Sequence, residues 1–216
     1  MNVATVAASA TATPEGSGMS AVSSTLTESI APTRRVQIAN FVVFQAAWFA
    51  AVLGAAHHAP LWGSACVIAA IAWHLGVSAR PAQEAKLIGL ACLIGFAVES
   101  GVAMQGHVAY PSGQPVSWLA PYWMVALWGE LAIALNVTMR WLKGRPWLAA
   151  LFGAIGGPAA FSAGVRLGGA QFIDRTPALV TLAVAYAVLV PLLVWLSSRF
   201  DGVSVPQALA ARATRV

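Results

Sequence analysis

Apolar residues along this chain gather into six long runs, at positions 38–56, 61–77, 87–104, 121–142, 147–165 and 177–196, with short polar breaks between them. A helix needs roughly 20 mostly apolar residues to cross the hydrocarbon core of a bilayer, and these runs are long enough and poor enough in charge to do so. The breaks are turn-forming: Ala59-Pro60, Arg80-Pro81, the PSGQP stretch at 111–115, and Lys143-Gly144-Arg145-Pro146. The pattern therefore predicts an all-α polytopic membrane protein, six transmembrane helices in one bundle over 37–198. Residues 1–36 read as a disordered Ala/Ser/Thr-rich tail, and 199–216 as a short basic tail.

Composition points to the same solvent. Of 216 residues, 59% are hydrophobic and only 9% charged, with a mean hydropathy of +0.74, far from a water-soluble domain. The net charge of +5 needs no nucleic acid, because basic residues flanking spans produce it and no Lys/Arg patch is interleaved with aromatics. With the amino terminus inside, ten of the twelve Lys and Arg residues fall on the cytoplasmic side and only Arg166 and Arg175 outside, which places both termini in the cytoplasm. The expected partners are the lipid bilayer and anionic lipids at the cytoplasmic face, with a homo- or hetero-oligomer left open. Arg34-Arg35 also resembles the start of a twin-arginine export signal, but the VQI that follows fits that motif poorly, so a positive-inside anchor is the simpler reading.

Trp62, Trp118, Trp123, Trp141, Trp147 and Trp195 lie near the ends of runs, where an amphipathic ring is an interfacial anchor; Trp48 and Trp128 sit deeper and read as packing. Cys66 and Cys92 fall near opposite faces of the bilayer, too far apart for a disulfide. The four histidines show no metal-ligand spacing, so no metal and no cofactor is expected.

Ionisable and amide groups at membrane depth carry the most information, since each is costly there unless paired, neutralised or hydrated. Glu130 falls within about 2 Å of its run's centre and Glu99 roughly 5 Å outward, on consecutive antiparallel runs. Two carboxyls facing each other at similar depth would hold one proton between them at neutral pH. Arg166, at the end of the fifth run, is placed to reach back toward Glu99. Gln45 and Asn136 read either as interhelical glue or as substrate contacts. Gly153, Gly157, Gly164 and Gly168 lay a smooth stripe for close helix packing along the fifth run, and Pro158 should kink it.

Several of these residues belong to motifs. Asn40-Phe41 with Gln45, Trp48 and Phe49 (NF-x3-Q-x2-WF), His74, Pro121, Trp123, the LW-x7-LN-x4-WL pattern through Leu127, Trp128, Asn136, Trp141 and Leu142, and Gly153-Ala154, Gly156-Gly157-Pro158, Gly164 and Arg166-Leu167-Gly168 together resemble a domain-of-unknown-function family of small bacterial inner-membrane proteins. The resemblance runs from about Asn40 to Phe172, and Glu99 stands where that family usually carries Asp. It implies a multi-pass inner-membrane location and no known activity, so it carries no catalytic residue over.

Three function classes remain. The first by base rate is a structural or assembly component of the membrane whose polar residues hold helices together. The alternative is a small proton-linked transporter or permease using Glu99 and Glu130, with Arg166 as a further group. The third, a membrane-embedded enzyme, has no Ser/His dyad, metal cluster or nucleotide motif behind it and only His74 as a conceivable base.

Overall fold

The computed structural model describes residues 29–30 and 32–206. Most of the Ala/Ser/Thr-rich tail and of the basic tail lies outside the described residues; the end of the first, read from sequence as disordered, is structured, since the first helix already begins at Arg34. Two short strands, β1 (Ser29–Ile30) and β4 (Val205–Pro206), pair antiparallel and form a unit distinct from Ala31–Ser204. The second unit is helical: α1 (Arg34–Ala56), α2 (Pro60–Val77), α3 (Pro81–Met104), α4 (Tyr122–Leu135), α5 (Pro146–Arg166) and α6 (Arg175–Arg199), with β2 (Val108–Ala109) and β3 (Gln171–Phe172) in its loops. All but α4 are long and apolar enough to cross a membrane.

Local chemistry explains where these helices start. Pro60, Pro81 and Pro146 each open a helix at its first turn, where the missing N–H is not needed and φ is already helical. Thr33 caps α1, its hydroxyl accepting from the Val36 N–H. Most helices therefore begin a residue or more before the apolar runs do. The largest extension is in α3, which starts at Pro81 rather than 87 and takes Glu84 into its first turn.

The fourth run departs from expectation. It is not one helix from 121 to 142: α4 has 14 residues and ends at Leu135, after which the chain turns and makes a single 3-10 turn at Arg140–Leu142. At about 1.5 Å per residue α4 spans roughly 21 Å, well short of a hydrocarbon core of about 30 Å. The break falls at Asn136, whose side chain is held by groups from α3, α6 and the following turn rather than left along a helix face.

The helices pack as three successive hairpins, α1–α2, α3–α4 and α5–α6, with α4 also touching α1, α2 and α6 at the centre. Glycines let the seams close. A Cβ at Gly63 would meet the backbone of Ala50 and Ala51, one at Gly95 the Trp128 ring, and ones at Gly153 and Gly157 the backbone and ring of Tyr186. Of the glycine stripe, only those last two meet α6: Gly164 faces open space, and Gly168 lies beyond the helix with φ +88°. Helix α5 runs unbroken through Pro158.

At the end of the unit that holds β2 and β3, the two strands pair antiparallel, Val108 with Phe172 and Ala109 with Gln171. The loop before α4 folds back onto the helices, Ser112 donating to the Ala55 carbonyl at 2.8 Å and Trp123 Nε1 to the Ser112 carbonyl at 3.1 Å. Trp123 is consequently buried, where the sequence suggested an interfacial anchor; Trp62 and Trp147 are exposed.

Candidate functional site

Apart from Ser64 and Ser100, which bond to the Pro60 carbonyl and the Ala120 N–H, the buried polar side chains among the described residues fall into three places. The first lies where α1, α3 and α5 begin and α2, α4 and α6 end. Glu84, buried in the first turn of α3, is its centre: Oε2 sits 2.9 Å from His74 Nε2 on α2, and Oε1 accepts from Asn136 Nδ2 at 2.8 Å and from the Gly202 N–H at 2.6 Å. Lys143 donates to Asn136 Oδ1 at 2.5 Å and to Asp201 Oδ2 at 2.9 Å. Arg140 meets the same Asp201 oxygen at 2.8 Å, and Asp201 Oδ1 accepts from the N–H groups of Val203 and Ser204. Arg80 donates to the carbonyl of Asp201. Beside this network Asn40 of α1 donates to the Ile133 carbonyl at 3.1 Å.

Residues 200–204, read from sequence as the start of a free tail, thus turn back onto the helix ends. Their backbone N–H groups and Asp201 find partners there that an extended tail would leave to water. Burial alone would raise the Asp201 carboxyl, but the Ser204 N–H and the Lys143 and Arg140 charges outweigh it and hold it at about 2. Burial pushes the Lys143 ammonium down, opposed chiefly by Asp201. Every charge in this network has a partner, which makes it a structural clasp.

The second place is Glu99 on α3. Its Oε1 accepts from Trp128 Nε1 at 3.1 Å and from the Tyr186 hydroxyl at 3.0 Å, tying α3 to α4 and α6. Tyr110 stands close by; burial first and the Glu99 charge second push its phenol well above the usual range.

The third is a cleft between α1, α4, α5 and Tyr186 of α6, about 130 Å³ in volume. Its wall is aromatic, with Phe44 and Trp48 from α1, Trp123 and Trp128 from α4, and Phe161 from α5. Glu130 lines it, is 1% exposed, and has a carboxyl oxygen, Oε1, without a hydrogen-bond partner among the described residues. The cleft exists because α5 packs along α6 and stands off from α1 and α4.

The residues singled out from sequence therefore separate. His74 and Asn136 come together, but through Glu84, which the sequence reading left in a loop. Glu99 and Glu130 share no hydrogen-bond partner among the described residues: Glu99 is held by Trp128 and Tyr186, whose rings also line the cleft that Glu130 lines. Arg166 is exposed at the end of α5 and makes no ion pair among the described residues. Gln45 is half-buried on α1 and lines no cavity described above. Lys143 reads from sequence only as a loop charge and Arg140 only as a charge at the cytoplasmic end of the fourth run, and nothing in the sequence singles out Asp201. A signal for Glu84 was present, as an acidic residue three positions after Pro81 marks the first turn of a helix.

Five helices able to cross a bilayer and a buried polar interior define a helical membrane protein. Residues 37–192 match the family described as Protein of unknown function (DUF2878), and the chain belongs to that family. No curated protein and no solved structure matches it.

Proposed function

We propose that this is a multi-pass inner-membrane protein that takes a small molecule into the cleft beside Glu130, as a small proton-linked carrier would. One observation carries the reading: a buried carboxyl oxygen with no partner among the described residues lines a cavity large enough to hold a ligand. A buried polar atom left unpaired costs on the order of 1–3 kcal/mol, and of three such side-chain atoms among the described residues, the others being Glu99 Oε2 and the Tyr110 hydroxyl, Glu130 Oε1 is the one that borders the cleft. Exposed Arg34, Arg35, Arg80, Lys86, Arg145 and Arg199 at the opposite ends of the helices from Arg166 and Arg175 support a cytoplasmic assignment for that face and contact with anionic lipid headgroups.

A structural or assembly role is the second reading. It is favoured by the clasp around Glu84 and by Glu99 Oε1, where buried polar groups are bonded within the chain and act as glue between helices.

Proteoliposomes holding a pH-sensitive dye separate the two. With small amphiphilic solutes added outside, the parent is expected to show solute-dependent proton movement that Glu130→Gln and Gly164→Leu both abolish. Equal, solute-independent traces from parent and both folded variants would leave the structural role.

A further inference from the structure

The chemistry of the cleft wall says more about the occupant than its volume does. Among the described residues Glu130 is the only carboxyl that lines it, and no Lys, Arg or His does. An anionic ligand would thus find no counter-charge and one like charge. A lipid acyl chain would fill the space yet offer Glu130 Oε1 no donor. The polar atoms of Trp123, Trp128 and Tyr186 are already engaged, by the Ser112 carbonyl and by Glu99, so these side chains present carbon surface to the cavity. Aromatic faces carry a negative quadrupole and attract cations, most strongly when water is excluded. Aromatic walls around one carboxylate are the arrangement that suits an ammonium group carrying an apolar body. The volume of about 130 Å³ compares with the roughly 150 Å³ of an engineered apolar cavity that accepts benzene, so the enclosed body is about one ring in size.

We propose that the cleft binds a lipophilic ammonium cation, with Glu130 taking the charge and Trp48, Trp128, Phe161 and Tyr186 enclosing the apolar part. The proposal rests on the cleft being a ligand site and adds the charge and class of the ligand.

Three probes of nearly equal size test it on the full chain in lipid nanodiscs: benzylammonium, benzyl alcohol and toluene, followed by tryptophan fluorescence and calorimetry. The cation is expected to bind at least tenfold tighter than the alcohol, and Glu130→Gln to remove that preference. Gly164→Leu is expected to abolish binding, and it guards against a folding defect in Glu130→Gln, because a Cβ at Gly164 meets nothing within 4 Å and a longer side chain there enters the cleft. If the alcohol or toluene binds as tightly as the cation, and Gly164→Leu blocks it, the cationic class is wrong while the ligand site stands. If no probe binds, or if Gly164→Leu changes nothing, the ligand site itself is refuted.

Discussion

Glu84 offers the sharpest test of how the helix ends are held. Replacing it by alanine leaves three donors facing a void: His74 Nε2, the Gly202 N–H and Asn136 Nδ2. Asn136 retains the Phe200 carbonyl at 3.3 Å, so two groups lose their acceptor outright. A stranded buried donor costs about 1–3 kcal/mol, so Glu84→Ala should destabilise the protein by about 2–6 kcal/mol. Glu84→Gln keeps the size and an oxygen for Asn136 and Gly202, and its amide can serve a His74 ring nitrogen that carries no proton. It should cost only about 1 kcal/mol. Unfolding in mixed micelles of rising denaturing-detergent content, followed by circular dichroism, measures both against Leu93→Ala at an exposed site. If Glu84→Ala unfolded within about 1 kcal/mol of Glu84→Gln and of that control, the carboxylate would not be holding the helix ends, and the clasp would be incidental.

Gly157→Leu should destabilise by about 1–3 kcal/mol, since its side chain must displace Tyr186, whereas Gly76→Leu points into open space and should melt like the parent; equal losses in detergent would mean the α5–α6 seam is not close-packed. Asp201 is held at about 2 against an ordinary value of 3.8, so its contribution of about 2 kcal/mol is complete above the ordinary value and fades as pH falls toward 2. The stability gap between parent and Asp201→Asn should therefore shrink between pH 5 and pH 2, and a gap constant over that range would contradict the ion pairs with Arg140 and Lys143. A carboxy-terminal reporter active only in the periplasm should be silent, and activity would reverse the proposed orientation.

Hydropathy showed where five of the helices lie because a bilayer imposes length and apolarity on each independently of its neighbours. It missed the end of α4 for the same reason: apolar residues continue on both sides of Asn136, and what stops the helix is a carboxylate 52 residues earlier in the chain. Residue counting gave Glu99 and Glu130 similar depths but carries no information on rotation. Trp128 and Glu130 are two residues apart, about 200° around the helix. Trp128 is bonded to Glu99, while Glu130 lines the cleft whose wall the Trp128 ring also forms, and the two carboxyls share no hydrogen-bond partner among the described residues. Gly95 and Cys92, four and seven residues before Glu99, share its helix face, and Trp128 and Gly129 of α4 lie against them. The clasp was the hardest part to read, because Asp201 and Gly202 follow the last apolar run and resemble any polar tail.

The shortness of α4 has a consequence for how the protein meets membranes of different thickness. Only Tyr122 of its residues is exposed, and the turn after it is bonded to α3 and α6. Irregular backbone at membrane depth is tolerated where protein rather than lipid surrounds it. The centre of the domain thus needs no match to the hydrocarbon thickness; adaptation by tilt or local lipid deformation falls to the five long helices around it. A thicker or thinner bilayer would accordingly strain the perimeter first, and α5, whose one extensive helix contact among the described residues is with α6, is the least braced against that strain.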